Sequence, residues 1–247
     1  MANQVEQELC EMYKKIFDEN KDICDRCRGG NIYLSKPLSA WLVGDDFCNP
    51  PGQKPRILFV GKNAIGNGLG EDYGNFWQVF EGTREHLWNK RSAFWRYTCG
   101  IVLKIFGDDS AEHIAMTNFI KCNEAEKSKK YADTSSPSMK ENCIGGLKML
   151  RKEIEIIRPN ILIFYTGKYY DDYIKNNGVI FDEFTVNINE KKKIGKKNMD
   201  WLAGEGWIRG QRIDVLRVWH PQTMKRCDYI SAICKWIRSC NQSKSIY

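Results

Sequence analysis

Four short apolar runs, each bounded by turn-forming residues, limit this chain to a small set of folds. Arg56-Ile57-Leu58-Phe59-Val60 leaves the Pro-rich loop Asn49–Pro55 and stops at Gly61, and Ile114–Ile120, Ile161–Phe164 and Ile213–Val218 follow the same pattern. The short apolar runs 57–60 and 161–164 read as strands buried on both faces, the habit of parallel strands, and the other two carry Thr117, Asn118, Asp214 and Arg217 among apolar neighbours. Between them lie stretches of helical spacing. Val5 to about Ile23 places Leu9, Met12, Tyr13, Ile16 and Phe17 on one stripe, and a helix is expected over about Arg91–Phe106. Ser138-x-x-Glu141 has the pattern of a capping box, and Ile144, Leu147, Leu150, Ile154 and Ile157 continue as a stripe that ends before Pro159. Alternating strands and helices predict a single α/β/α three-layer domain over residues 1–247 around a mostly parallel four-stranded sheet.

Within that domain, residues 1–50 read as an N-terminal arm and 186–212 as a basic insertion. A length of 247 residues is enough for a full core, and 42% hydrophobic with 12% aromatic residues suits a folded chain. No apolar run reaches membrane-spanning length, and the N-terminus carries no secretory h-region. The expectation is a soluble, cytoplasmic, monomeric protein without a membrane partner.

Ten cysteines in a reducing compartment are buried small hydrophobes or metal ligands rather than a disulfide framework. Cys24-x-x-Cys27, with Cys122 and Cys143 far downstream, is what thiolate ligation of an iron–sulfur cluster or of zinc requires. The other six lack paired spacing and read as structural.

The net charge of +7 is concentrated. Between Val186 and Arg226 there are ten Lys/Arg against four Asp/Glu, a net of +6, with Lys191, Lys192, Lys193, Lys196 and Lys197 interleaved with Trp201 and Trp207. A basic loop studded with aromatics suits a polyanion whose bases can be stacked, against the simpler reading of a solvated lysine-rich excursion.

In a parallel sheet, ligands bind where the strands end at their carboxyl sides. Gly61-Lys62-Asn63-Ala64-Ile65-Gly66, Asn118 and His220-Pro221 all fall there, so they are expected to converge on one cleft. These segments resemble the motifs of the uracil-DNA glycosylase superfamily. The Gly-rich motif after the first strand matches Gly61-Lys62-Asn63. The Asn-bearing strand matches Thr117-Asn118-Phe119-Ile120-Lys121-Cys122, and the His-Pro motif matches His220-Pro221-Gln222-Thr223-Met224. The likeness spans most of residues 20–240.

The cysteine pattern is similar to that of the iron–sulfur family-4 enzymes. It implies a structural 4Fe–4S cluster on Cys24, Cys27, Cys122 and Cys143, with zinc as the alternative metal. Family-4 enzymes place an acidic residue in the first motif, whereas Asn63 stands there in this chain, as in the Gly-x-Asn branches. An amide orients water and stabilises charge without deprotonating it, which is enough if the glycosidic bond breaks dissociatively.

The resemblance implies that His220 donates to the departing base and that Asn118 reads the pyrimidine edge. Gly61 and Ile65 would line the base pocket, and Phe76 would stack under the flipped ring, with core packing as the rival reading. Met224 would fill the vacated base stack. Lys225, Arg226, Lys192 and Lys193 would hold phosphates. Strict uracil enzymes carry a bulky aromatic where this chain has the glycine-rich 64–70, which suggests room for a substituted pyrimidine such as a modified phage cytosine and an antiviral role. The activity so implied is monofunctional DNA glycosylase; the alternative is a catalytically inactive nucleic-acid-binding module that keeps the metal site.

Overall fold

The computed structural model describes residues 3–29, 37–50, 52, 54–63, 76–88, 94–122, 135–221 and 225–242. Seven strands, β1 (Leu42–Val43), β2 (Ile57–Asn63), β3 (Ile114–Ile120), β4 (Ile161–Phe164), β5 (Glu183–Ile194), β6 (Lys197–Ile208) and β7 (Gln211–Arg217), form one sheet in the order β1-β3-β2-β4-β7-β6-β5. The helices are α1 (Gln4–Glu19), α2 (Lys21–Gly29), α3 (Asp45–Cys48), α4 (Phe76–Gly82), α5 (Trp95–Phe106), α6 (Pro137–Lys140), α7 (Met149–Ile157), α8 (Asp171–Lys175) and α9 (Arg226–Gln242). Among these, no helix is long and apolar enough to cross a membrane.

The expected four-stranded, mostly parallel sheet is therefore corrected to a seven-stranded mixed one. The four expected strands pair in parallel as its centre, β3-β2-β4-β7, while β1, β6 and β5 add antiparallel pairings at the two sides. The stretch 186–212 is not an inserted loop: nearly all of it is strand, in the β5–β6 hairpin and the start of β7. β5 escaped the sequence reading because only Phe184 and Ile194 of its twelve residues are buried, so no alternation marks it. β6 is interrupted by Gly204 and Gly206, which read as loop signals. A Cβ on Gly204 would lie 2.3 Å from the Thr185 carbonyl oxygen, and one on Gly206 would lie 2.4 Å from the Phe181 ring.

The central strands are buried on both sides because alternate residues feed two cores. Leu58, Val60, Leu162 and Phe164 join α1 and α7 in one cluster, and Ile57, Phe59, Ile161 and Ile163 join α5 and α9 in the other. Asn3 caps α1 by accepting from the Glu6 backbone N–H at 2.9 Å, and the expected helix 5–23 breaks at Asn20 into α1 and α2. The expected stripe 144–157 also breaks. A π-helical turn, Glu141–Gly146, leads into Leu147, whose N–H reaches back to the Asn142 carbonyl at 2.7 Å, and Lys148 adopts a left-handed conformation before α7 begins. Ser136 rather than Ser138 is the N-cap of α6.

One buried ionic node ties the first core together. The Lys121 ammonium, fully buried at the end of β3, donates to Glu153 Oε2 at 2.7 Å, to Thr117 Oγ1 at 2.6 Å and to the Asn118 carbonyl at 2.6 Å. Glu153 on α7 also accepts from Tyr13 of α1 and from Thr117 Oγ1, and Tyr13 Oη accepts from the Ala40 N–H at 2.8 Å. Burial lowers the Lys121 pKa, and the Glu153 carboxylate works against that shift. Removing one member of such a pair strands the other charge without water. Lys121→Met is expected to cost about 3–5 kcal/mol in urea unfolding, and Lys121→Met/Glu153→Met is expected to recover much of that loss.

Candidate functional site

Gly61 on β2 and Asn118 on β3 are register partners in the parallel pair. The Asn118 carboxamide folds over the Gly61 backbone, because a Cβ on Gly61 would lie 2.2 Å from Asn118 Oδ1. Glycine is thus required here by close approach, not by an unusual dihedral. Asn118 is only 6% exposed, and its Nδ2 is buried without a hydrogen-bond partner among the described residues. An orphaned buried donor costs about 1–3 kcal/mol unless something accepts from it. The Asn118 main chain is itself held by Lys121.

Two residues along β2, Asn63 ends the strand opposite Ile120 and is half-buried. Lys62, before it, carries its ammonium 4.9 Å from the Tyr169 ring centre. His220 follows β7 on the same edge of the sheet. With only β4 between β2 and β7, their carboxyl ends stand roughly 10 Å apart by strand spacing.

His220 is half-buried, its ring 5.2 Å from that of Phe94 at 32°, and Phe94 stands edge-on to Tyr165 at 5.8 Å. The loop that carries it is pinned on both sides: the Val218 carbonyl accepts from the Gly167 N–H at 2.9 Å, and the Trp219 carbonyl accepts from Tyr229 Oη at 2.8 Å. Burial first, and then the Lys62 charge, pull the His220 pKa down to about 4. The imidazole is therefore neutral near pH 7, with an ammonium close enough to influence it. Such a site favours negative charge that develops on a bound group.

Of the four cysteines singled out in the sequence, Cys122 and Cys143 lie side by side just after β3, and Cys24 and Cys27 of α2 are near enough to act on Cys122. Cys122 and Cys143 share a hydrogen bond, which with burial raises the Cys122 pKa well above the usual thiol value, and the nearby Cys24 and Cys27 push in the same direction. Cys143 is held down to about 7, chiefly by that hydrogen bond and also by the Lys121 backbone N–H and charge. Asn142 Nδ2 donates to Cys27 Sγ at 2.9 Å. Cys143 lies within the π-helical turn rather than at the start of a helix. Among the described residues, no three His, Cys, Asp or Glu side chains stand in a ready-made ligand set. The donor chemistry nevertheless fits a thiolate-bound metal: four neighbouring thiols, one with a depressed pKa, with N–H donors and an ammonium alongside.

The remaining expected residues divide. Phe76 is a core residue, 3% exposed, with its ring 5.1 Å from Tyr13 and 5.9 Å from Phe17, so the expected stacking platform is instead packed between α4 and α1. Lys192 is half-buried with its ammonium 4.3 Å from the Trp201 ring, and Lys193, Lys225 and Arg226 are exposed. Ile65, Met224 and the glycine-rich segment 64–70 lie outside the described residues. Sequence reasoning missed Phe94, Tyr169 and the influence of Lys62 on His220. No local motif marks an aromatic that meets its partner only after the chain folds.

The sequence matches no protein-family model and no curated protein.

Because His220 is held neutral, the unfolded chain, with a histidine pKa near about 6.5, takes up a proton that the folded chain does not. Stability then falls as pH drops from the unfolded value towards the folded one, and is unaffected by this group above it. An NMR titration of the His220 ring is expected to show a pKa of about 4. Lys62→Met is expected to move it upwards; an unchanged value would show that the ammonium does not act on the ring.

Proposed function

We propose that this chain is a monofunctional DNA glycosylase of the uracil-DNA glycosylase type, which flips a damaged or modified pyrimidine out of DNA and hydrolyses its N-glycosidic bond. The observation that carries the reading is the buried Asn118 Nδ2, without a hydrogen-bond partner among the described residues, on a carboxamide whose Oδ1 packs over Gly61 on the same sheet edge as a neutral His220. A donor fixed by packing suits the carbonyl edge of a pyrimidine, which would supply the missing acceptor.

In this mechanism the bond between the sugar C1′ and the base nitrogen breaks with its electron pair moving to the base. His220, as a neutral donor, hydrogen-bonds the oxygen on which that charge collects, and the Lys62 ammonium adds to its stabilisation. Asn63 orients a water molecule towards C1′, where the electron-poor sugar captures it. The water loses a proton as the hydroxyl forms, the base takes one up, and an abasic site remains. No covalent lysine intermediate is involved.

Cys24, Cys27, Cys122 and Cys143 are the residues that would hold a 4Fe–4S cluster, with zinc as the alternative. Such a group would tie α2 to the end of β3. The chain is read as a cytoplasmic monomer acting on DNA, with a role in repair or antiviral defence.

The test is incubation with duplexes containing uracil, hydroxymethylcytosine or glucosylated hydroxymethylcytosine, followed by alkali to cut at abasic sites. Cleavage is expected on at least one of these. His220→Ala is expected to lower the excision rate by about 10²–10³, the range for loss of one charge-stabilising donor, and Asn63→Ala is also expected to slow it. A chain that binds every duplex and cuts none is the inactive binding module instead.

The metal reading is checked separately on anaerobically purified protein. About four iron and four sulfide per chain are expected for a 4Fe–4S cluster, with visible absorption that Cys122→Ser or Cys143→Ser abolishes. Stoichiometric zinc without colour would identify the alternative.

A further inference from the structure

The β5–β6 hairpin extends beyond the sheet that carries it. Leu202 of β6 pairs with Arg217, the last residue of β7, so Lys197–Trp201 and their β5 partners Glu190–Ile194 continue past the carboxyl edge. Five residues at about 3.3 Å each give an overhang of roughly 17 Å. It lies on the same edge as Asn63, Asn118 and His220.

This arm is anchored. Ile194, Met199 and Trp201 are buried in the same cluster as Tyr229, Ile230 and Ile233 of α9. The tip residue Gly195 has φ +61°, and a Cβ there would lie 2.2 Å from Asp228 Oδ2, so only glycine lets the tip seat against the first turn of α9. Alternation along β5 turns Lys192 inward over Trp201 and leaves Lys191 and Lys193 on the solvent side. Lys196 is exposed in the turn, and Lys225 and Arg226 are exposed beside Asp228. Lys191, Lys193 and Lys196 have no ion-pair partner among the described residues.

Edge protection does not account for these lysines. The apolar part of the β5 edge is Val186 and Ile188, which are 42% and 37% exposed, whereas every lysine of the strand lies beyond it in the overhang. Five lysines against Glu190 and Asp200 leave a net positive, stiff arm, which calls for a stiff polyanion. A duplex rises about 3.4 Å per base pair, so the arm spans about five base pairs from the cleft. At that distance a duplex holds its phosphates in place, because its persistence length is about 150 base pairs, while a single strand does not.

We propose that the β5–β6 hairpin is a phosphate-gripping arm that holds duplex DNA several base pairs from the cleft through Lys191, Lys193 and Lys196. This rests on the nucleic-acid reading above and adds the form of the substrate and a second contact region.

The test is fluorescence anisotropy of the full chain with an undamaged duplex of about two helical turns, with the same sequence as a single strand, and with phosphatidylserine vesicles, across a salt series. K191A/K193A/K196A removes exposed side chains, and circular dichroism checks that it is folded. The variant is expected to bind duplex at least about tenfold more weakly near physiological salt and to lower the slope of log K against log salt by about 3. Single-strand binding is expected to change much less, and Lys14→Ala/Lys15→Ala on α1 is expected to leave the duplex slope as it was. An unchanged slope, an equal loss on single strand, or binding to vesicles without binding to duplex overturns the proposal. If the wild type excises a base while the variant keeps its slope, the arm alone is refuted. If the wild type excises nothing while the variant loses its slope, only the glycosylase reading is refuted.

Discussion

A lysine ammonium sealed from water at the end of β3 organises the first core. Lys121 is tolerated there because Glu153, Thr117 and the Asn118 carbonyl together accept from it, and those acceptors come from β3 and α7, with Tyr13 of α1 bound to the same carboxylate. Three elements remote in sequence are therefore held to one point by an interaction that fails if any of them moves. The residues on either side of this node are the chemically interesting ones. Asn118 lies three residues before Lys121, and Cys122 follows it, so the Cys122 thiol and the Asn118 amide share one support.

The carboxyl edge of the parallel centre has a consistent electrostatic character. His220 is kept neutral by burial and by the Lys62 charge, and Asn118 offers a donor that has no acceptor among the described residues. Neutral donors near an ammonium, partly shielded from water, act strongly on negative charge that appears only during a reaction, because little solvent competes. Rigid supports serve the same end. The His220 loop is bonded at Val218 and Trp219, and the Asn118 amide packs in the space that the lack of a Cβ at Gly61 leaves. Polar groups placed before any ligand arrives need no reorganisation when it does.

The central strands were legible because each is a short apolar run whose alternate residues feed two cores, a pattern that leaves no polar face. The outer strands were not. β1 has two residues, and β5 is exposed along most of its length, so a lysine-rich strand and a solvated loop have the same composition. Gly204 and Gly206 are glycine because Thr185 and Phe184, or Phe181, press on the α-carbon, a contact made only in the folded hairpin. The helix expected through 144–157 carried the correct apolar stripe but gave no sign of the π-helical turn and left-handed Lys148 that interrupt it. Phe76 illustrates the limit in the other direction: motif position suggested a stacking ring, and packing against Tyr13 and Phe17 claimed it.

What the amino-acid order determined by itself is the set of buried parallel strands and the placing of Asn63, Asn118 and His220 at their carboxyl ends. Both follow from local periodicity and chain direction. It also set apart Cys24, Cys27, Cys122 and Cys143 by spacing alone. Tertiary structure alone decided the neutral state that burial favours for His220, the Asn118 donor left without an acceptor among the described residues, the pairing of Cys122 with Cys143 and the basic overhang of β5 and β6. Each of these depends on burial, or on the distance between groups far apart in the chain. Burial and through-space distance set electrostatic energies, and neither is written in any stretch of neighbouring residues.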